Sequence, residues 1–218
     1  MALVQFKDVK KYYGPHKAHS GVSLSLDANS QYVVCGASGS GKSTLLYLMG
    51  GLDRPTAGSI EVDGRELSSF DDEALAAHRN RFIGFVFQFH FLLSSMNCLD
   101  NILLPGRIAG VEIKPLTDFI LQLANKLGVD HLLSKYPFEL SGGEQQRINI
   151  IRAISLRPSL LLCDEPTGNL DSGNSRKVVE LLKQMASEFT ATLVMVTHDE
   201  KIASGFTHRF LLQDGLLN

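Results

Sequence analysis

With 218 residues, 44% of them hydrophobic and 20% charged, the chain is long enough to bury one sizeable core or two smaller ones. A net charge of −2 carries no basic surplus, which argues against nucleic acid as a partner. No apolar run approaches the roughly 20 residues that span a bilayer, and residues 1–7 lack the organisation of a signal peptide, so work at a membrane is expected to go through a partner.

Residues 3–34 alternate short apolar stretches, at 3–6, 22–26 and 32–34, with turn-rich pieces such as Gly14-Pro15, a pattern of short β-strands. The third stretch runs into Gly36-Ala37-Ser38-Gly39-Ser40-Gly41-Lys42-Ser43-Thr44, and the apolar residues 45–49 follow. A strand, a glycine-rich turn and a helix in this order make a phosphate-binding loop. Gly36, Gly39 and Gly41 let the backbone wrap an anion, and the helix N-terminus favours negative charge. Lys42 is placed to meet the β- and γ-phosphates, the Ser43 hydroxyl to ligate Mg²⁺, and Thr44 to support the phosphates from the next helical position. By residue usage alone such a pattern arises in roughly one chain of this length in a hundred. The flanking strand and helix therefore decide against a mere flexible turn.

Residues 58–64 read as a strand ending in an Asp63-Gly64 turn, 71–79 as helix, and 82–87 as a buried strand ending at Gln88. The period then changes. Leu116, Phe119, Ile120, Leu123 and Leu127 recur at helical spacing, with Gly128 as the cap beyond them. Of the apolar residues in 89–96, at least half are expected in the core, the rest lining a groove for a partner helix.

Residues 140–147, Leu-Ser-Gly-Gly-Glu-Gln-Gln-Arg, can be read as a capping box from Ser141 to Glu144. Two glycines in a first turn cost a helix about 1 kcal/mol each, however. What Gly142 and Gly143 give in return is an uncovered helix N-terminus, a second anion site apart from the first. Strand character returns at 160–163 and ends on Asp164-Glu165. A carboxylate at the carboxyl end of a central strand can hold Mg²⁺, the role assigned to Asp164, and Glu165 then suits a general base or water-orienting group. A helix with Val178, Leu181, Leu182, Met185 and Phe189 on one face, a strand at 192–196 and a terminal hairpin around Asp214-Gly215 complete the chain. The three cysteines, Cys35, Cys98 and Cys163, are far apart and fit neither a zinc site nor a disulfide framework; a reducing compartment follows. The order of elements implies a mainly parallel α/β core with a helical insertion.

Residues 140–144 match the signature of ATP-binding cassette ATPases, and the phosphate loop, Gln88, residues 160–165, Asn169-Leu170-Asp171 and His198 stand in the order of that family. The chain resembles it from end to end. The resemblance implies one cassette domain over 1–218 with a P-loop NTPase (RecA-like) core, about 1–88 and 157–218, that carries an N-terminal antiparallel β subdomain. About 89–156 would form the inserted α-helical signature subdomain. It further implies ATP hydrolysis with Mg²⁺ held by Ser43, Gln88 and Asp164, and a catalytic group of Glu165, His198, Lys42 and Gln88. ATP would be bound by Tyr13, Gly36, Ser38, Gly39, Ser40, Gly41, Lys42, Ser43 and Thr44, with Tyr12 the alternative to Tyr13 for stacking on adenine. Two copies would close head to tail as a homodimer, so that Ser141, Gly142, Gly143, Glu144 and Asp171 meet ATP held by the partner.

Residues 51–58, 84–93 and 165–172 look like the ATPase subunits of lipoprotein-releasing and macrolide-exporter systems. A membrane permease would dock near Gln88 and the helical subdomain, with the chain cytoplasmic and peripheral at the inner face of the cytoplasmic membrane and no nucleic acid involved. The cell-division ATPase, which signals through a membrane partner without transport, is the alternative. Gln31-Tyr32 and Asn149-Ile150-Ile151 depart from the family pattern without touching this chemistry.

Overall fold

The computed structural model describes residues 2–168 and 172–217. In chain order come β1 (Ala2–Tyr13), β2 (His16–Asp27), β3 (Gln31–Cys35), α1 (Lys42–Met49), β4 (Ala57–Val62), β5 (Arg65–Glu66), α2 (Asp72–Phe82) and β6 (Ile83–Phe87). The helices α3 (Cys98–Ala109), α4 (Ile113–Lys126) and α5 (Gly142–Ile154) follow. Then come β7 (Leu160–Asp164), α6 (Ser172–Glu188), β8 (Thr192–Thr197), α7 (Glu200–Ala203), β9 (His208–Gln213) and β10 (Leu216–Leu217).

Among the described residues these strands form two sheets. One is antiparallel, in the order β2-β1-β4-β5; the other runs β10-β9-β3-β8-β7-β6, parallel from β9 to β6. The apolar pieces at 3–6 and 22–26 are half of a longer hairpin. Its polar half, with Lys7, Asp8, Lys10 and Lys11, pairs through register shifts that break the apolar alternation. β6 and β7 are direct neighbours although α3, α4 and α5 lie between them in sequence, which is how the helical insertion joins the core.

The parallel sheet is buried on both faces, and successive residues go to opposite sides. Val33, Leu161, Cys163, Leu193 and Met195 pack with residues of α3 to α7; Val34, Leu160, Leu162, Val194 and Val196 pack with α1 and the antiparallel sheet. All of β8 is buried. In α4 the residues Leu116, Ile120, Leu123 and Ala124 recur on the buried face, and the helix ends at Gly128, whose φ of 65 supplies the left-handed turn that only glycine adopts freely.

The expectation that at least half of the apolar residues in 89–96 lie in the core fails: Phe89, Phe91 and Leu93 are exposed, and Leu92 and Met96 are only half-buried. The segment is fixed by its backbone instead. Arg152 of α5 donates to the Phe91 carbonyl at 2.8 Å and the His90 carbonyl at 2.6 Å, so the side chains need not be buried for the loop to be ordered. Asn149 accepts a third bond from the same guanidinium at 3.0 Å.

Candidate active site

Gly41 opens α1 with a φ of 99, a conformation open to glycine, and a Cβ there would meet the Ala18 carbonyl at 2.8 Å. No side chain caps this helix start, so its first-turn N–H groups face the loop unclaimed by a cap. Lys42 is folded back over the loop: its ammonium donates to the Gly36 and Ala37 carbonyls, both at 2.9 Å, and stands 3.7 Å from Glu165 Oε1.

A cleft of about 490 Å³ brings together Tyr13, Ser38, Gly39, Gly41, Lys42, Ser43, Thr44, Gln88, Glu165 and His198. Gly36 and Ser40 line an adjoining space of about 690 Å³ on the side of the loop that faces β9 and the 214–215 turn. Asp164 lies beneath the first cleft, accepting from Ser43 Oγ at 2.9 Å and from Tyr47 Oη at 3.1 Å. Burial raises the Asp164 pKa and, with Asp164 beside it, pushes the Tyr47 phenol up to about 12. A carboxylate held in a buried place with only hydroxyl donors against it suits a hard dication, and Ser43, Asp164 and Gln88 offer the oxygen donors that Mg²⁺ takes.

Glu165 adopts the left-handed backbone conformation, φ 45, and is held there by hydrogen bonds and by a close contact with His198. Its N–H donates to the Val196 carbonyl at 3.1 Å, its Oε1 lies 3.0 Å from His198 Nδ1, and its Oε2 accepts the His198 N–H at 3.3 Å. A Cβ at Gly168 would come within 2.7 Å of Gln88 Nε2, so Gln88 packs directly on the loop that follows Glu165.

The residues 141–144 line neither space. Ser141 and Glu144 form the capping box, with the Glu144 carboxylate accepting from the Ser141 N–H at 2.8 Å and its hydroxyl at 2.7 Å; these bonds lower the Glu144 pKa. Nothing lies within 4 Å of a Cβ built at Gly142 or Gly143. The helix is therefore capped, and side chains built at its first two residues would meet open space. Asp171 lies outside the described residues.

Sequence reasoning missed several neighbours of the site. Tyr47 follows Ser43 by four positions and so shares its helix face, a signal that could have found it. Of the two candidate tyrosines, Tyr13 lines the cleft, and its phenol donates to Asp53 at 2.5 Å. His19, fully buried, lies under the phosphate loop beside Gly41, and burial pushes it down to about 4.

A family profile described as ABC transporter matches residues 19–168. The chain is 44% identical to the lipoprotein-releasing system ATP-binding protein LolD of Geobacter metallireducens over 218 residues, covering 98% of this chain and 97% of that protein. LolD of Aquifex aeolicus is 41% identical over 214 residues, 98% and 95% of the two chains. Among solved structures, the dimeric structure of MJ0796, a bacterial ABC transporter cassette, superposes with a TM-score of 0.90 at 34% identity, covering 99% of this chain and 96% of that one. A dimeric post-hydrolysis state of MJ0796 bound to ADP and Pi gives 0.87, at the same identity and coverage.

Proposed function

Since the chain belongs to the ABC transporter family, we propose that it is the ATPase that drives a lipoprotein-releasing membrane complex. ATP is its nucleotide and hydrolysis its activity. The curated relatives above are named for lipoprotein release and are matched over nearly their whole length, which supports the substrate class. Among the described residues no helix is long and apolar enough to cross a membrane; we place the chain as a peripheral subunit at the inner face of the cytoplasmic membrane, as the names of the relatives support.

The observation that carries the mechanism is the group formed by Lys42, Glu165 and His198, with Glu165 3.7 Å from the ammonium and 3.0 Å from the imidazole. The loop N–H groups and Lys42 bind the β- and γ-phosphates and spread the charge that builds on the transferred group. Glu165, oriented by His198, holds the attacking water and takes its proton as the water oxygen bonds to the γ-phosphorus and the bond to ADP breaks. Ser43, Asp164 and Gln88 would hold Mg²⁺, which would supply further neutralisation of phosphate charge. The open start of α5 at Ser141, Gly142 and Gly143, with Glu144 behind it and Asp171 from outside the described residues, serves the nucleotide of a second copy. Each pocket is thereby half of a head-to-tail dimer site.

Residues 89–156 act as the helical subdomain against a core of 1–88 and 157–218. The docking groove lies where the exposed Phe91, its ring edge-on to Phe87 at 5.3 Å, adjoins a space of about 350 Å³ lined by Leu52, Phe85, Phe87 and Ile108. A cytoplasmic helix of the permease seats there, and the loop after Gln88 reports its position to the nucleotide.

The test is reconstitution with the permease in vesicles carrying a lipoprotein. The wild type should release it with ATP, and Glu165→Gln should bind ATP, accumulate as a dimer and turn over about 10²–10⁴ times more slowly. Near-normal turnover in that variant would remove Glu165 from the role; release of no lipoprotein by an active complex would remove the substrate class.

A further inference from the structure

The cleft ends in a polar network that the phosphate chemistry does not use. The Tyr13 phenol donates to Asp53 Oδ2 at 2.5 Å, while Lys11 donates to Asp53 Oδ1 at 2.6 Å and to the Arg54 carbonyl at 2.9 Å. The same Lys11 ammonium lies 4.7 Å from the centre of the Tyr13 ring, covering one of its faces. Lys11 and Asp53 are 12% and 26% exposed, so the pair is screened far less than a surface ion pair.

Asp53 is itself anchored to α1. The N–H groups of Leu52 and Asp53 both donate to the Tyr47 carbonyl, at 2.8 and 3.2 Å. The helix that begins at the phosphate loop thus holds, at its far end, the carboxylate that holds the tyrosine. Tyr13 is 45% exposed, and a ring on a strand end with that much freedom would otherwise sample several rotamers.

We infer that Asp53 and Lys11 are positioning residues for the adenine of ATP: they lock the Tyr13 ring, with one face under the Lys11 cation, so that the opposite face is presented to the base at a fixed offset from the phosphate loop. Neither residue touches the nucleotide. This rests on the assignment of Tyr13 to adenine, which it deepens. The locked ring adds affinity because the ordering of the side chain is complete before ATP arrives.

The test uses calorimetric titration of the whole chain with ATP and, separately, with inorganic tripolyphosphate, which carries phosphates and no base. Asp53→Ala should weaken ATP about five- to tenfold, as expected for losing a hydrogen bond to a charged group, and leave tripolyphosphate unchanged. Tyr13→Phe, which keeps the ring and loses the tie, should do the same, and the double variant should be no worse than either single one. Asp53→Asn, which keeps an acceptor for the phenol, should recover most of the affinity, and Tyr13→Phe, which breaks the same bond, carries the comparison of ATP with tripolyphosphate if Asp53→Ala does not fold. In Asp53→Ala at saturating ATP, kcat should stay within about twofold while KM rises, because the network acts on binding alone. Equal weakening of ATP and tripolyphosphate, or additive losses, would overturn the inference by showing that Asp53 supports the phosphate loop or the fold at large. If Tyr13→Ala weakens ATP but Asp53→Ala does not, the inference falls and the assignment of Tyr13 stands. If Tyr13→Ala has no effect on ATP, both fall.

Discussion

Glu165 shows at the scale of one residue what the active site requires of the chain. A left-handed glutamate costs on the order of 1 kcal/mol, and here the conformation turns the carboxylate back toward His198 and Lys42. Lys42, Ser43, Asp164 and Glu165 were legible because each sits in or beside a short motif whose chemistry is local. Asp53 was not, since what gives it meaning is a contact with Tyr13, far away along the chain, whereas Tyr47 leaves only the trace of its four-residue spacing from Ser43. His19 was silent for the same reason and has a measurable signature. Its pKa falls from 6.5 to about 4 on folding, so above pH 6.5 the ring is neutral in both states and contributes nothing. Below that the unfolded chain takes up a proton that the folded chain refuses, and stability falls as pH falls, by roughly 2 kcal/mol from this ring at pH 5. His19→Leu should therefore lose less melting temperature than the wild type between pH 7 and pH 5. Parallel losses in thermal unfolding would show that the ring is not the titrating group.

Helix α5 is the element on which the most depends, because one side of it does structural work and its end does not. At β6, a Cβ on Gly84 would lie 2.3 Å from the Ala153 carbonyl and 2.9 Å from Pro158, both groups with little room to give. Gly84→Ala should push α5 off the sheet and destabilise the chain by roughly 2 kcal/mol in denaturant unfolding. Gly143→Ala meets nothing within 4 Å and places a better helix former in the first turn, so stability should hold or rise while turnover falls. A loss of both together would mean that Gly143 serves the fold and not the partner's nucleotide. Further along, Gln146 donates to the Pro166 carbonyl at 2.8 Å and Arg152 to the carbonyls of His90 and Phe91, so α5 touches both the loop after Glu165 and the loop after Gln88. The helix itself and its open start were legible from Ser141 to Glu144. The failure at 89–96 came from reading aromatic residues as core when a guanidinium had already fixed the backbone. Likewise β1 ran past its apolar stretch because register shifts let polar residues pair.

At the scale of the molecule, a mainly parallel core with a helical insertion was readable from the order of strands and helices. The sheet order was not, because it depends on how crossovers pack: β9, from the terminal hairpin, joins the parallel sheet beside β3. The proposed head-to-tail dimer has a direct kinetic consequence. If each pocket is completed by the start of α5 in a second copy, turnover per chain should fall steeply once the protein is diluted below its association range. A rate per chain that stays constant on dilution would make one copy sufficient. The two-faced burial of the central sheet has a further consequence, in the rates at which backbone amides exchange with solvent. Residues 193–196 of β8 alternate between the two cores, so exposing them requires both to open, and their amides should exchange only through global unfolding. The amides of α4 pack on one core only and should exchange through a smaller opening. The strands whose carboxyl ends bear Asp164 and Thr197 are thus the last part of the chain to loosen, and the helices that carry the open end of α5 can rearrange while the floor of the nucleotide pocket keeps its shape.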